Sequence, residues 1–555
     1  MTTLKYSIGI DYGSESGRVL VVDVNTGEIK GKHVIPYRHG VITDSLPNNK
    51  KLIPKGSALQ HPKDYLEVLE IGIPNAIAEA GILPEQIIGL GVDFTSSTIL
   101  PVDEKLTPLC FLEKFQNSHH SWVKLWKHHN TKSQTEKIYK LATKRKEKWL
   151  RRLGYNISEE WAIPKILEVF DNDRDIYNFA AYFLEASDWI VSILTSNLIR
   201  NNCSLGFKAF WNEEDQFPED FFKELDIEFG STLLSKLHGE VKNVGTCAGY
   251  LSNQWAEKLS LPSGLPVATG IIDAHSAVIG TGIHEPEKLL MVMGTSTCHM
   301  MLNSELKEIP GISGTVKDSI LPGMYAYEAG QSAVGDLFGT YVKKHVPKEY
   351  YDDAEKLNLS IFDLLEEKAS KLIPGEHGLI ALDWHNGNRS ILSDADLSGL
   401  LIGLTLQTKP EEIYRAYIES TAFGAKIIIN TYQEWGMKIN EIIACGGLPQ
   451  RNNLLMQIYA DILNIPIKVS HSDYAPAIGA AILGAVAAGK EKNGYDEIEE
   501  AIKQMAQPIE KTYYPNPENV STYETIFNYY KELHNYFGLQ HAKIMKTLKQ
   551  LRNQS

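Results

Sequence analysis

Two apolar segments near the N-terminus flank a short loop of glycine and hydroxyl residues. The β-branched residues on its two sides, which suit a buried, pleated strand, are Ile8, Ile10, Val19, Val21 and Val22. The loop itself is rich in the residue types that favour a tight turn, namely Gly13, Ser14, Ser16 and Gly17. The pattern therefore predicts a β-hairpin over residues 6–24.

The same order of strand, small hydroxyl-rich loop and strand recurs in the second half. Residues 289–293 and 298–302 are apolar and flank the sequence Gly-Thr-Ser-Thr that begins at Gly294. This recurrence predicts an internal duplication, in which two similar domains face each other across a cleft. The 555 residues also exceed the roughly 250 to 300 that one core supports. We place the two domains at residues 1–284 and 285–555, because the polar, proline-containing stretch near His284 resembles a boundary.

Other segments show the period of a helix or a buried strand. Residues 61–80 have helical spacing, and Gly72 and Pro74 are expected to bend this helix. Residues 87–93 resemble a buried strand, which ends in the hydroxyl-rich segment 94–98. Residues 408–411 resemble a capping box and predict the start of a helix there.

A strand, a diglycine turn and a helix are predicted between Glu441 and Ile462. A bare backbone turn at Gly446 and Gly447, followed by a helix N-terminus, is favourable for binding an anion. The segment lacks the Lys-Ser/Thr of a Walker loop and the third glycine of a dinucleotide fingerprint, so neither of those folds is supported.

The charge balance argues against a protein that binds nucleic acid. The formal net charge is −14, whereas nucleic acid recognition requires clustered Lys and Arg. One basic run over residues 144–152 is interleaved with Trp149 and Leu150, which favours a solvated helix face. The five cysteines are scattered, the predicted first strand leaves no room for a signal peptide, and the apolar run 475–488 is too short to span a bilayer. We therefore expect a soluble, cytoplasmic protein with no membrane partner.

The first hairpin carries residue types that suit a nucleotide triphosphate. Ser14 and Ser16 offer hydroxyl donors, Arg18 offers fixed positive charge, and Asp11 offers the oxygen ligands that Mg²⁺ prefers. An ordinary hairpin is the alternative for this stretch.

Three charged residues are further candidates: Asp273 and Lys208 in apolar surroundings, and Glu328 beside flexible backbone. Asp273 at the end of a predicted strand is either hydrogen-bonded structure or a tuned base. Lys208 either extends its stem along apolar surface or contacts an oxyanion, and Glu328 is either an acceptor at a strand end or part of a surface turn.

Two histidine pairs in residues 117–129 suggest zinc or a polar helix that lines a cleft. Adjacent histidines point to different helix faces, which favours the helix.

Together these motifs resemble the FGGY family of carbohydrate kinases over nearly the whole chain. The matching segments are DYGSESGR, GVDFTSST, SWVKLWKHH, IDAH, GTST, YEAGQSAVGD, DWHNGNRSIL, GLTLQTKPEEIYRA and ACGGLPQRNNLLMQ. The longest matches are to members that phosphorylate ribulose. The resemblance implies an α/β fold with two actin-like ATPase (ribonuclease H-like) domains and a cleft between them. It also implies ATP and Mg²⁺ as cofactors, L-ribulose as the small-molecule partner, and a homodimer.

The resemblance also implies roles for individual residues. The catalytic base falls on Asp273 and the Mg²⁺ carboxylate on Asp11. The sugar contacts fall on Ser96, Lys208, Asp273 and Glu328. The nucleotide contacts fall on Ser14, Ser16, Arg18, Gly294, Thr295, Gly446, Gly447 and Asn453.

Two positions depart from the family pattern. Glu15 stands where many members have a hydroxyl, and Ser96 stands where some ribulose-phosphorylating members have Ala, so the sugar contact there could be to backbone. Three other function classes stay open: a kinase for D-ribulose, xylulose or glycerol, an actin-like ATPase, and a catalytically silent sugar sensor. An actin-like ATPase would have no need of the set Asp273, Lys208 and Glu328.

Overall fold

The structure of the protein is a computed structural model that describes residues 5–471 and 473–554. Residues 1–4 of the predicted first domain, and Ser472 and Ser555 of the second, lie outside the described residues. Among the described residues, no helix is both long enough and apolar enough to cross a membrane.

The first hairpin forms as predicted and opens a mixed sheet. Its strands are β1 (Tyr6–Tyr12) and β2 (Ser16–Asp23), and β3 (Ile29–Pro36) continues the antiparallel meander. The remaining strands of this sheet are β4 (Ile87–Phe94), β5 (Cys247–Tyr250), β6 (Pro266–Ala268) and β7 (Ile271–Ile272). Their order is β5-β6-β4-β1-β2-β3, and β7 pairs with the end of β4. β4 runs parallel to β1, so both strands end at one edge of the sheet.

A second sheet repeats this arrangement, which confirms the predicted duplication. Its strands are β8 (Lys288–Met293), β9 (Thr297–Asn303), β10 (Gly314–Lys317), β11 (Tyr325–Gln331), β12 (Glu441–Cys445), β13 (Ile467–Ser470) and β14 (Ile509–Tyr513). Their order is β10-β11-β9-β8-β12-β13-β14. As in the first sheet, an antiparallel meander adjoins two parallel strands and an antiparallel edge strand.

Helices surround both sheets. The helices of the first half are Pro62–Glu67, Ile73–Ala80, Lys132–Arg145, Lys148–Arg152, Ala162–Asn172, Arg174–Phe179, Ala186–Thr195, α1 (Asn202–Lys208), Glu219–Leu225, Ile227–Lys236, Asn253–Leu259 and α2 (Asp273–Gly280). The helices of the second half are Gly335–His345, Lys348–Leu357, Ile361–Ser370, Pro410–Glu434, Gly447–Arg451, α3 (Asn453–Leu463), α4 (Ala475–Ala488), Ile498–Met505, Pro517–Asn535 and Lys543–Gln554. Short strands outside the two sheets include Leu59–Gln60, Ile99–Val102, Val123–Lys124, Tyr182–Glu185, Ile199–Asn201, Glu240–Lys242, Ile380–Leu382 and Leu400–Ile402.

Helix α4 belongs to the second half of the chain but packs on the first sheet. A Cβ atom added at Gly91 would lie 1.9 Å from the carbonyl oxygen of Ala480, and one added at Gly9 would lie 1.8 Å from that of Ala477. Only glycine permits so close an approach of helix backbone to sheet backbone. α4 also contacts α2, where a Cβ at Gly280 would lie 2.0 Å from the carbonyl oxygen of Ala475. The two halves are therefore joined by backbone-close packing.

Local structure differs from the prediction in two places. Residues 117–129 form a 3₁₀ turn at His119–Ser121 and a short strand at Val123–Lys124, not a helix, because their polar side chains bond to neighbouring elements. The helix predicted from residue 408 begins at Pro410, because the amide of Lys409, and not that of Thr408, pairs with the Glu412 carboxylate at 2.7 Å. The bend predicted at Gly72 is present as one π-helical turn, Val68–Gly72.

Candidate active site

Three carboxylates meet at one edge of the first sheet. Asp11 and Asp93 lie directly opposite each other on the parallel strands β1 and β4, so their side chains project from the same face. Asp273 is the first residue of α2 and follows β7, whose Ile271 pairs with Asp93. Asp11 and Asp273 are site residues predicted from the sequence. Asp93 was not predicted, although a carboxylate within an otherwise apolar strand is a visible signal.

Asp93 is fully buried, and neither of its carboxylate oxygens has a hydrogen-bond partner among the described residues. Burial, together with the nearby charges of Asp11 and Asp273, raises the pKa of Asp93 well above its ordinary range. A buried carboxylate in this state requires a proton or a cation beside it.

The first hairpin places its charged and hydroxyl groups beside these acids. Arg18 Nη1 donates to Asp11 Oδ2 at 2.7 Å, and the charge of Asp11 raises the pKa of Arg18. Ser14 is held at two points, since Trp126 Nε1 donates to its Oγ at 2.9 Å and Gln60 Nε2 donates to its carbonyl oxygen at 2.7 Å. The carbonyl oxygen of Ser16 closes the turn, and Glu15 is exposed. The contact from Trp126 was not predicted.

Asp273 keeps partial contact with solvent, unlike Asp93. Burial raises the pKa of Asp273 to about 7, and the charge of Asp11 adds to the effect, while the backbone amide of Ala274, 2.6 Å from Oδ1, opposes it. A carboxyl group with this pKa changes protonation state near neutrality, which is the property required of a general base.

Lys208 and Glu328 form an ion pair across the two halves of the chain. Lys208 Nζ, at the end of α1, lies 2.8 Å from Glu328 Oε2 and 3.1 Å from Oε1. Glu328 is not at a strand end or in a surface turn, as considered from sequence, but is buried in the middle of β11. Arg389 Nη2 also donates to Glu328 Oε1 at 2.7 Å. Burial would raise the pKa of Glu328, but the charges of Lys208 and Arg389 lower it to about 2. Arg389 lies within a predicted family motif but had not been singled out.

Hydrogen bonds from two other segments hold the hydroxyl-rich segment 94–98 that follows β4. The Thr98 amide donates to Glu185 Oε2 at 3.0 Å, and Lys165 Nζ donates to the carbonyl oxygen of Ser97 at 2.7 Å. Ser96 Oγ is buried and has no hydrogen-bond partner among the described residues, so the bonding capacity of this hydroxyl is unmet.

The second hairpin and the diglycine turn lie together at an edge of the second sheet. Gly294 follows β8 and Gly446 follows β12, and these strands are parallel neighbours. Gly446 has a φ of 99°, and a Cβ there would lie 2.5 Å from the carbonyl oxygen of Met293, so glycine is required. Thr295 is exposed, and its carbonyl oxygen accepts from the amide of Val334 at 2.9 Å.

Asn453, the first residue of α3, lines a cavity of about 550 Å³. Its Oδ1 accepts from Lys511 Nζ at 2.8 Å and from the Tyr513 hydroxyl at 2.6 Å. Arg451 and Glu366 also line this cavity, which Gly447 adjoins through the short helix Gly447–Arg451.

The histidine pairs have partners other than a metal. His128 Nε2 lies 3.0 Å from Glu168 Oε2, and His120 Nδ1 lies 3.3 Å from Lys124 Nζ. In the described part of the chain, no group of three or more His, Cys, Asp or Glu side chains is arranged to hold a metal ion.

Family models match both halves of the chain. The model for the FGGY family of carbohydrate kinases, N-terminal domain, matches residues 6–280, and that for the C-terminal domain matches residues 289–488. The chain belongs to the FGGY family of carbohydrate kinases. It is therefore a sugar kinase, a phosphotransferase that uses ATP.

Curated FGGY relatives resemble this chain over its full length. A protein named ribulokinase from Halalkalibacterium halodurans is 49% identical over 552 residues, which cover 99% of this chain and 98% of the relative. A ribulokinase from Staphylococcus aureus strain Newman is 49% identical over 549 residues, 99% of each chain.

Solved FGGY structures share the fold at lower identity. A gluconate kinase from Lactobacillus acidophilus has a TM-score of 0.78 at 19% identity, covering 98% of this chain and 100% of its own. A Plasmodium falciparum glycerol kinase with ADP has a TM-score of 0.75 at 16% identity, covering 96% and 98%. The fold is the two-domain, actin-like α/β fold expected from the sequence.

Proposed function

We propose that this FGGY kinase is a ribulokinase that transfers the γ-phosphoryl group of ATP to the terminal hydroxyl of L-ribulose, giving L-ribulose 5-phosphate in L-arabinose catabolism. The relatives named ribulokinase support the sugar. The observation that carries the chemistry is that the Lys208–Glu328 pair, which joins the two halves, lies beside the helix that Asp273 begins, since Glu328 Oε2 is 3.6 Å from Nε2 of His275. D-ribulose and related polyols are the alternative substrates.

Asp273 acts as the general base in this proposal. Its carboxylate accepts the proton of the terminal sugar hydroxyl as that oxygen attacks the γ-phosphorus. Its partial exposure gives a substrate access, and its raised pKa makes it basic enough to accept the proton. Lys208, Glu328 and Ser96 orient the sugar.

The two hairpins bind the phosphates. Ser14, Ser16 and Arg18 contact the phosphates from the first sheet. Gly294 and Thr295 contact them from the second sheet. Phosphoryl transfer depends mainly on positioning and on charge neutralisation, which donors from two sides supply. The nucleoside lies toward Gly446, Gly447 and Asn453, beside the cavity that Asn453 lines.

The acids at the sheet edge fit Mg²⁺. Asp93 is a buried carboxylate without a partner in the described residues, and Asp11 lies opposite it. Mg²⁺ is usually held by one or two carboxylates, with waters and substrate phosphates as its other ligands. Asp11 and Asp93 would hold the ion, and when bound it offsets negative charge on the β- and γ-phosphates.

Replacing Asp93 with Asn should weaken divalent cation binding by about tenfold or more, because it removes one of two anionic oxygen donors. The dissociation constant of Mn²⁺, measured by electron paramagnetic resonance on the intact protein, tests this without turnover. Asp352→Asn, at an exposed helix position, is the matched control. An unchanged Mn²⁺ affinity in the Asp93 variant would remove Asp93 from the site.

The rate should depend on pH through Asp273. Because its pKa is raised to about 7, the group is neutral at lower pH and cannot accept a proton. We therefore expect kcat/KM to rise about tenfold per pH unit below pH 7 and to level off above it. A coupled assay between pH 5.5 and 8.5, with circular dichroism to confirm folding, measures the profile. A flat profile across pH 7 contradicts this assignment.

ADP release measured across L-ribulose, D-ribulose, ribitol, xylulose and glycerol tests the proposed function. L-ribulose should give the highest kcat/KM. ADP release that no sugar stimulates would indicate an actin-like ATPase, and sugar binding without ADP release would indicate a sensor. A higher kcat/KM for another sugar would indicate another kinase of the family.

The domain boundary, the oligomeric state and the cellular location of this enzyme are also proposals. We place the domain boundary at residues 284 and 285, between α2 and β8, and the two family models leave residues 281–288 between them. A homodimer and a cytoplasmic location stay predictions from the family resemblance.

A further inference from the structure

Arg389 extends into the active site from the loop between the strands Ile380–Leu382 and Leu400–Ile402. Its Nη2 donates to Glu328 Oε1 at 2.7 Å, and the Cys298 thiol is near enough for its charged form to raise the pKa of Arg389. A guanidinium carries five N–H donors in a fixed plane. These contacts leave donors of Arg389 without a partner among the described residues.

The side chain of Arg389 is held in one direction. It lies across Gly330, where an added Cβ would be 3.2 Å from Arg389 Cδ and 3.3 Å from Nε. Together with the bond to Glu328, this contact fixes the plane of the guanidinium before any ligand arrives. A fixed donor plane gives selectivity for the position of an acceptor atom.

Arg389 is the accessible member of its charged cluster. Its side chain is 23% exposed, whereas Lys208 is 2% exposed and Glu328 is 5% exposed. Both carboxylate oxygens of Glu328 are already occupied by Lys208 and Arg389. A sugar entering the cleft therefore meets the guanidinium more readily than the ion pair behind it.

The cluster of Lys208, Glu328 and Arg389 lies beside the start of α2, the helix that Asp273 begins. Glu328 Oε2 is 3.6 Å from Nε2 of His275, which follows Asp273 by two residues. Arg389, bonded to the same carboxylate, is thus at the end of the site where the proposed base lies.

Arg389 can only donate hydrogen bonds. In an open-chain ketose the ketone oxygen only accepts hydrogen bonds. The hydroxyl that replaces it in a polyol also carries a proton that needs an acceptor, and both nearby oxygens of Glu328 are already bonded to Lys208 and Arg389. We propose that Arg389 binds the ketone oxygen of the sugar and so makes the enzyme prefer a ketose to the corresponding polyol. This inference rests on the proposed function and names a residue that determines its specificity.

Dissociation constants of L-ribulose and ribitol, measured by tryptophan fluorescence on wild type, Arg389→Gln and Arg389→Lys, test the proposal. Losing hydrogen bonds from a charged donor should weaken L-ribulose binding about 10- to 100-fold in the Gln variant. Ribitol binding should change less than about threefold, so the preference for the ketose collapses. The Lys variant keeps the positive charge beside Glu328 and should recover part of the preference. The KM for ATP should stay within about twofold, because the contact is to the sugar.

Arg174→Gln, at an exposed ion pair on the first half, is the matched control and should behave as wild type. Equal losses for L-ribulose and ribitol, or a fall in kcat with both sugar affinities unchanged, overturn the proposal and leave Arg389 as support for Glu328. If wild type binds another ketose instead, the proposed function fails separately, and the same comparison is made with that ketose and its polyol, such as xylulose and xylitol.

Discussion

Replacing Asp273 with Asn is expected to lower kcat by about 10²- to 10⁴-fold while the affinities for sugar and nucleotide are retained. Asn has nearly the same shape as Asp but cannot accept the proton of the attacking hydroxyl. The bond from the Ala274 amide to the side-chain oxygen can still form, so the start of α2 should be undisturbed. Single-turnover kinetics and nucleotide titration measure the two effects separately.

Asp220→Asn, at an exposed position in the helix Glu219–Leu225, is the control for an Asp-to-Asn change and should leave kcat unaltered. Equal turnover by wild type and Asp273→Asn would falsify the role of Asp273 as base. A loss of sugar affinity with unchanged kcat would instead make Asp273 a binding residue.

Replacing Gly91 with Ala is expected to lower the free energy of unfolding by about 2 to 3 kcal/mol. The new methyl group would lie 1.9 Å from the carbonyl oxygen of Ala480, so the backbone of α4 has to move away from β4. Urea unfolding followed by circular dichroism measures the change as a shift of the midpoint.

Gly339→Ala is the matched control, since a Cβ at Gly339 has nothing within 4 Å. Gly339 lies inside the helix Gly335–His345, where Ala is favoured over Gly by about 0.5 to 1 kcal/mol, so this variant should be slightly more stable. Equal midpoints for Gly91→Ala and wild type would show that α4 tolerates displacement from the sheet.

The two hairpins, the strand Ile87–Phe94 and the diglycine turn could be predicted because each is encoded locally. Alternating or continuous β-branched residues next to glycine and hydroxyl residues specify a strand and a turn within about 20 residues. The duplication was visible for the same reason, since both halves repeat one local pattern.

The contacts that assemble the site could not be predicted from local pattern. Lys208 and Glu328 are 120 residues apart, and the burial of Glu328 in β11 depends on cations from two other segments. Residues 117–129 were expected to form a polar helix, but they form a 3₁₀ turn and a short strand, because hydrogen bonds to distant residues such as Glu168 hold their side chains. Asp93 was missed because its importance lies in its pairing across strands with Asp11.

The packing of α4 determines how far the two halves can be separated. A fragment that ends at residue 284 would retain Gly9, Gly89 and Gly91 on its sheet but would lose helix α4, which packs against them. Water would then reach the middle of a sheet whose central strands are buried on both faces. The first lobe is therefore expected to need α4 of the second half in order to fold, so that the two lobes form one cooperative unit.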